Sequence, residues 1–391
     1  MKQGWEYKKL GEIGKIVTGS TPSTKDESNY SPREYCFVKP SDLPSQGIVL
    51  IEETEYYVSS KGLSKSRVLP IGSVLVSCIG SIGKIGILTK EACSNQQINA
   101  IIPKNDIDSK FIAYSIYAYR FLLESIANAP VVPIINKTDF SKIQIPLPPK
   151  STQLAIVSEL DKINELIRLK KEQLKDFDNL AQSIFYEMFG DPVENEMGWK
   201  VKKLGEVCNI TSSKRIFADE YTDKGIPFYR SKEVIERSKG LPISVELFIS
   251  PERYSEIKEK FGIPNVGDIL ITAVGTIGKI WSIDTDEKFY FKDGNLVWLK
   301  DIDSSLANTI FFRRLLEYLI DEYKKINANG AAYSALTIAK LKLMQCPLPS
   351  LHFQHLFAHR IEQLEHQKAE VQKAITDLET LLASRMQYWF E

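Results

Sequence analysis

Two short segments set a lysine behind paired glycines: Gly80-Ser81-Ile82-Gly83-Lys84 and Gly275-Thr276-Ile277-Gly278-Lys279. Glycines followed by lysine suit a phosphate-cradling loop, which also needs an earlier glycine and a Ser or Thr after the lysine to hold magnesium. Ile85 and Ile280 stand in that last place, and the earlier glycine is missing. The paired glycines point instead to a tight turn between strands. Other catalytic sets are absent too. No glycine-rich nucleotide fingerprint follows a first strand, and no carboxylate cluster with a lysine suggests a nuclease. Asp191-Pro192-Val193 lacks the aromatic residue that a base-stacking methyltransferase motif needs. Histidine, the commonest general base, does not occur before His352. His355 and His359 have the i, i+4 spacing of a metal pair, but no carboxylate or cysteine completes a motif with them, His352 or His366. Solvated or partner-facing positions are the simpler expectation for these four.

Polar stretches point to binding rather than catalysis. Thr18-Gly19-Ser20-Thr21-Pro22-Ser23-Thr24-Lys25 has a counterpart in Thr211-Ser212-Ser213-Lys214-Arg215. Hydroxyls and cations of this kind contact phosphates and base edges. Thr21, Ser23, Lys25, Lys214 and Arg215 are therefore candidate DNA contacts. Lys39 and Arg230 occupy equivalent places, as do Lys84 and Lys279, and all four join the set. Asn95-Gln96-Gln97 and Asn136-Lys137 add amides able to read adenine. Any one of these could be an ordinary solvated loop position; recurrence in both halves of the chain favours function.

That recurrence is part of a duplication. Gly4-Trp5-Glu6-Tyr7-Lys8-Lys9-Leu10-Gly11-Glu12 matches Gly198-Trp199-Lys200-Val201-Lys202-Lys203-Leu204-Gly205-Glu206. Val74 to Ile85 matches Ile269 to Ile280, and Phe37-Val38-Lys39 matches Phe228-Tyr229-Arg230 more weakly. Pro146-Leu147-Pro148 and Pro347-Leu348-Pro349 each open a long heptad-patterned segment. The expected order is module (1–150), long helix (151–190), module (191–350), long helix (351–391). A covalent dimer of this kind has approximate two-fold symmetry and suits a ligand with two oppositely oriented sites, such as duplex DNA.

In the first long segment the heptad seam runs through Ile156, Leu160, Ile163, Ile167, Leu174 and Phe177. In the second it runs through Ile361, Leu364, Val371, Ile375, Leu378 and Leu382. A seven-residue apolar repeat sustained this long predicts a coiled coil, antiparallel if the chain is pseudo-symmetric; the alternative is two amphipathic helices, each packed on its own module. Ser151 and Ser350 are candidate N-caps, and Gly190 with Pro192 a stop. The modules are expected to be mixed α/β and strand-rich. Strands are predicted from Val74, Ile98, Ile269 and Leu296, helices over 109–127 and 304–325, and extended Ile143–Pro146 and Met344–Pro347 leading into the long helices.

Composition sets the limits. The 391 residues are 43% hydrophobic, enough for two cores. No apolar run approaches the ~20 residues of a membrane span, and Met1–Trp5 shows no apolar signal core. Five scattered cysteines without a CxxC fit a reducing cytoplasm and argue against disulfides or zinc. Net charge is zero, but residues 1–150 carry 18 Lys and Arg against 14 Asp and Glu, so positive charge must be confined to faces if DNA is the ligand.

With its doubled Trp-x-x-Lys-Lys-Leu-Gly-Glu start, Gly-Ser/Thr-Ile-Gly-Lys turn, Pro-Leu-Pro exit and Gln-led helix, the whole chain resembles the specificity subunit of type I restriction–modification systems. The resemblance implies two α/β target-recognition domains joined by long helices forming an antiparallel coiled coil. It implies a non-catalytic protein, each of whose domains reads one half of a split, asymmetric site on double-stranded DNA. Partners would be two modification subunits that methylate adenine with S-adenosylmethionine and, for cleavage, restriction subunits using ATP and magnesium; the chain itself would hold no cofactor. Two other readings stand beside this one: a piece of a fused restriction–methylation enzyme, and a coiled-coil adaptor that binds only proteins.

Overall fold

A computed structural model of the chain describes residues 4–127, 133–327 and 335–390; Met1–Gln3, part of the N-terminal signal assessment, lie outside them. Two compact units emerge, one of residues 1–172 and 372–391, the other of 173–371. Each takes a module together with part of both long helices.

In the first unit a five-stranded sheet runs in the order Gly14–Thr18, Ile98–Pro103, Val74–Ser77, Ile85–Leu88, Ile48–Ile51. The first four are antiparallel neighbours, and the last is parallel to Ile85–Leu88. A smaller sheet places Tyr35–Val38 between Tyr57–Val58 and the parallel strand Ala92–Ser94. The second unit repeats the antiparallel four as Asn209–Thr211, Leu296–Lys300, Ile269–Thr272, Ile280–Ser282. Its smaller sheet pairs Ile226–Tyr229 in parallel with Tyr290–Phe291, as in the first unit. One edge differs. Beside Ile85–Leu88 lies strand Ile48–Ile51, whereas in the second unit helix Ser231–Ser238 buries Val234 with Leu270 and Trp281.

The duplicated motifs turn out to be hydrogen-bonded to one another. Glu6–Lys9 pairs antiparallel with Gln144–Leu147, and Lys200–Lys203 with Gln345–Leu348. Each start strand is thus closed by its own exit strand, which hands the chain to a long helix. Prolines are tolerated there because the ribbon has only two strands and so every strand is an edge.

The long helices run Lys150–Phe189 and Leu351–Phe390, 40 residues each, or roughly 60 Å at 1.5 Å per residue. In the first, the Pro149 carbonyl accepts from Thr152 and Gln153, so Ser151 lies inside the first turn rather than capping it. Ser350 does precede the second, its carbonyl taking the Gln354 amide, and Gly190 closes the first with its amide on the Tyr186 carbonyl. The expected helix over 109–127 breaks at Tyr119 into Ser109–Ala118 and Arg120–Ile126. The one expected from Ser304 starts at Thr309, because Asp303 draws Ser305 into a turn first.

Within each unit the long helices run antiparallel. In the first, Glu159 meets Arg385 and Trp389, and Lys171 meets Glu379 at 2.7 Å. In the second, Asp178 pairs with Lys368 at 2.8 Å and the Phe185 and Phe357 rings lie 5.6 Å apart. Every seam residue named from the heptads is buried or half-buried. The helix ends also complete the module cores, so the two packing alternatives coexist. Ile156, Leu160, Met386 and Phe390 join Leu10, Phe111 and Phe140 in the first core. Their counterparts 201 positions away (357−156, 386−185), Phe357, Ile361, Phe185 and Phe189, join Leu204, Phe311 and Leu341 in the second. Gln153 and Gln354 tie the same joint. Each donates to a proline carbonyl, of Pro148 or Pro349, and accepts an amide at the start of a module helix, of Asp108 or Asn308.

Candidate nucleic-acid interface

Strand register fixes which loops share a face. Thr18 pairs with Asn99, Ser77 with Ile98, and Val76 with Ile85. The Gly19–Asp26 loop, the Asn95–Gln97 turn and the Cys78–Lys84 turn therefore leave the first large sheet at one end. The smaller sheet adds Lys39 there, because Val38 pairs with Ser94 and its carbonyl accepts the Asn95 amide at 3.1 Å. Thr211 opposite Trp298 and Thr272 opposite Leu296 define the same end in the second unit.

The Gly-x-x-Gly-Lys segments are hairpin turns, as their glycines suggested. Gly80, Gly83, Gly275 and Gly278 all have φ between +75° and +80°, a region that costs other residues energy. One hydroxyl closes each turn: Ser77 Oγ donates to the Ser81 carbonyl and accepts the Lys84 amide at 2.9 Å. Thr272 Oγ1 does the same with Thr276 and Lys279, also at 2.9 Å. The turn is a structural device, and the lysine after it is half-buried in the first unit and exposed in the second. Lys84 Nζ donates to the Pro40 carbonyl at 3.3 Å, beside Lys39, while the Lys279 side chain is exposed.

Thr21, Lys39 and Lys84 come together around the Asn95–Gln97 turn. The Thr21 hydroxyl donates to Gln96 Oε1 at 2.6 Å, and the Lys39 ammonium lies 3.0 Å from the Tyr56 ring centre, a cation–π contact that leaves the charge near the surface. Ser23 and Lys25 are exposed farther along the loop, where Asn29 and Asp26 tether it to Ser59, Lys61 and Lys65. Two residues proposed as adenine readers have structural duties instead. Asn95 is buried and bonded to Gln97 through both ends of its amide, and Asn136 caps the Lys137–Lys142 helix through Asp139. Periodicity gave no hint of this; an Asn three residues before an Asp at a helix start could have.

In the second unit the Lys214 amide donates to the hydroxyl of buried Tyr290 at 2.6 Å, while its ammonium lies 5.3 Å from the Phe261 ring centre. Arg215 is exposed, with Nε donating to Asp293 at 2.7 Å. Arg230 departs from expectation. Its guanidinium is clamped by Glu233 at 2.9 Å and Glu246 at 2.8 Å, and those carboxylates raise its pKa further. Lys232, together with Arg230, pulls Glu246 down to about 2. With two carboxylates on it, Arg230 has little net charge left for a phosphate.

Sequence inspection missed Arg67, whose Nη1 donates to the Thr18 carbonyl at 2.6 Å and whose amide bonds Ser20 Oγ, fastening the loop base. It has no matched counterpart in the second half, so the repeat could not flag it. A recess of about 1110 Å³ lies elsewhere in the first unit, among Leu50, Lys110, Phe121, Asp161 and Met386; none of the nine DNA-contact candidates lines it. Among the described residues no cluster of His, Cys, Asp or Glu could hold a metal, and no helix is long and apolar enough to cross a membrane.

A family model for the type I restriction modification DNA specificity domain matches twice, over residues 2–176 and 196–380. The type I restriction enzyme MjaIX specificity subunit of Methanocaldococcus jannaschii is 27% identical over 341 residues, covering 81% of this chain and 77% of that one. The MjaVIII specificity subunit of the same organism is 23% identical, covering 97% and 92%. Among solved structures, the S subunit of the type I restriction–modification system of M. genitalium aligns over 99% of this chain and 96% of its own, with TM-score 0.54 and 16% identity. A chain solved in work on complex assembly and conformational transition of the type I R-M system aligns over 99% and 97%, with TM-score 0.65 and 19% identity. At these identities the structures establish a shared fold.

Proposed function

The chain belongs to the type I restriction–modification DNA specificity family, and from that membership we propose that it is the recognition subunit of such a complex, each module reading one half of a split asymmetric site. It is a recognition subunit, not an enzyme. The observation that carries this reading is the double match, over 2–176 and 196–380, to one DNA specificity domain. Each copy presents a different polar face at the same sheet end.

The modules, within 1–150 and 191–350, act as the target-recognition domains. The helices between and after them act as a ruler: paired rods locked into both module cores hold the half-site spacing. Thr21, Lys39 and Lys84 of the first module, and Lys214, Arg215 and Lys279 of the second, face DNA. Ser23 and Lys25 contact phosphate at the margin, and Arg230 orders its own module. Adenine methylation requires the base to leave the helix; two modification subunits docked on the helices would supply that chemistry with S-adenosylmethionine. Restriction subunits would add ATP- and magnesium-driven cleavage, and this chain would hold none of these cofactors. The assembly would work in the cytoplasm.

Single-molecule sequencing of adenine methylation, in cells carrying a cognate modification subunit with and without this gene, tests the reading. A split motif methylated on both strands only when the gene is present is expected. No new motif despite a purified complex with the modification subunit would overturn it and favour a protein-only adaptor.

A further inference from the structure

We infer that the two modules read bases with different chemistry from the same loop–turn junction of the shared frame: Gln96, on the turn of the first module, reads an adenine·thymine pair, and Arg215, on the loop of the second, reads a guanine·cytosine pair. The inference rests on the DNA-recognition reading above and assigns its base-reading residues.

In the first module the polypeptide around Gln96 is fixed before any ligand arrives. The Asn95 amide is held by Val38, Asn95 Oδ1 accepts the Gln97 amide at 3.1 Å, and Asn95 Nδ2 donates to Gln97 Oε1 at 2.8 Å. The Thr18–Lys25 loop is laid directly on this turn. Ser20 donates to the Ser94 carbonyl at 2.8 Å, and a side chain at Gly19 would meet the Asn95 carbonyl at 2.1 Å. Gln96 alone of the three turn residues is exposed. The Thr21 hydroxyl donates to its Oε1 and holds the amide against the turn. That oxygen keeps one lone pair, and Nε2 keeps both hydrogens. An acceptor and a donor side by side match adenine N6 and N7 in the major groove. Lys39 and Lys84 flank the turn and can take phosphates, which position without specifying.

In the second module a loop on the same strand end meets the same turn with other groups. The Lys214 amide is anchored on Tyr290, and Arg215 next to it lies 64% exposed while Asp293 of the turn is only 17% exposed. Asp293 holds Nε and leaves both Nη groups free to point outward. A buttressed guanidinium presenting two parallel donors matches guanine O6 and N7. Holding the side chain in advance lowers the entropy lost on binding.

The test compares methylation motifs from complexes of the wild type, Gln96→Ala, Gln96→Glu, Arg215→Ala and Arg215→Lys with the cognate modification subunit, by single-molecule sequencing. Gln96→Ala is expected to relax one unmethylated A·T position in one half-site only, by roughly 5- to 150-fold in discrimination. Gln96→Glu should shift that position toward C·G, since a carboxylate accepts from cytosine N4. Arg215→Ala should relax one G·C position in the other half-site, with Arg215→Lys partly preserving it. Unchanged motifs in the alanine variants, or loss spread evenly over all positions, would overturn the inference while leaving the recognition function standing. A wild type with no split motif would instead bring down the function itself. If an alanine variant fails to assemble, the Glu or Lys variant at that site decides: a shift or partial preservation confined to one position supports the assignment, and an unchanged motif rejects it.

Discussion

In the first module the cation after the small-sheet strand, Lys39, rests on the Tyr56 ring. In the second, Arg230 at the equivalent place lies between Glu233 and Glu246. Around each, the backbone is the same: the preceding residue pairs with a parallel strand, and the cation's own amide is taken by a carboxylate three residues on, Asp42 or Glu233, at 2.7 Å. One frame therefore supports two electrostatic surfaces. The difference follows from what fills the sheet edge. Strand Ile48–Ile51 follows Lys39, whereas Arg230 opens a helix whose buried Glu233 needs a counter-charge. An unpaired buried carboxylate is costly, so the second module commits to structure a cation that the first leaves near the surface.

The helix joints are where the modules should behave alike, and they offer the largest test. Phe185 is fully buried, with Phe189, Phe311, Phe357 and Tyr318 around it. Phe185→Ala should destabilise the second unit by about 3–5 kcal/mol, read by urea unfolding with hydrogen exchange over 311–320. Exchange left unchanged in that segment would mean the helix end is not part of the core. Next, Gln153→Ala and Gln354→Ala should each cost about 1–3 kcal/mol by stranding the buried groups they satisfy. Equal losses would support an equivalent frame, and a loss in only one would break it.

Lys39 and Arg230 should then part company. Lys39→Gln should lower stability by no more than the ~0.5–1 kcal/mol of an exposed cation–π contact and reduce the slope of log K against log salt for DNA binding by about 1. Arg230→Gln should mainly lower the stability of the second unit, because it leaves Glu233 without its ion pair. A Lys39 variant with an unchanged salt slope would remove that lysine from the DNA face. The smallest effect is one of pH. The native carboxyl of Glu246 is depressed to about 2, below the ordinary value of about 4.3, so its contribution is present above that ordinary value. It should fade as pH drops from there toward 2. Acid titration of stability in Glu246→Gln should lack that component; an identical profile would show that the ion pairs contribute nothing.

Much of the frame could be read directly from the sequence. The heptads placed both long helices, the paired glycines placed the hairpin turns, and the doubled Pro-Leu-Pro exit placed the point where each module hands the chain to its helix. These signals are local: a turn needs its own glycines, and an apolar stripe needs only its own spacing. The errors arose where a side chain had two possible employers. Asn136 suits a base reader by its amide but caps a helix, and Ser151 suits a cap by its place after the prolines although Pro149 already opens the helix.

The sequence by itself determined that two copies of one module alternate with two long amphipathic helices, because repeats and periodicity survive without knowledge of contacts. Only the tertiary structure decided which polar groups remain available at the sheet ends. Thr21 finds Gln96 across 75 positions of chain, Arg215 finds Asp293 across 78, and Arg230 finds Glu246 across 16. Whether a charge is neutralised depends on distance in space, and residues so far apart in the chain are brought within hydrogen-bond reach only by the completed sheets.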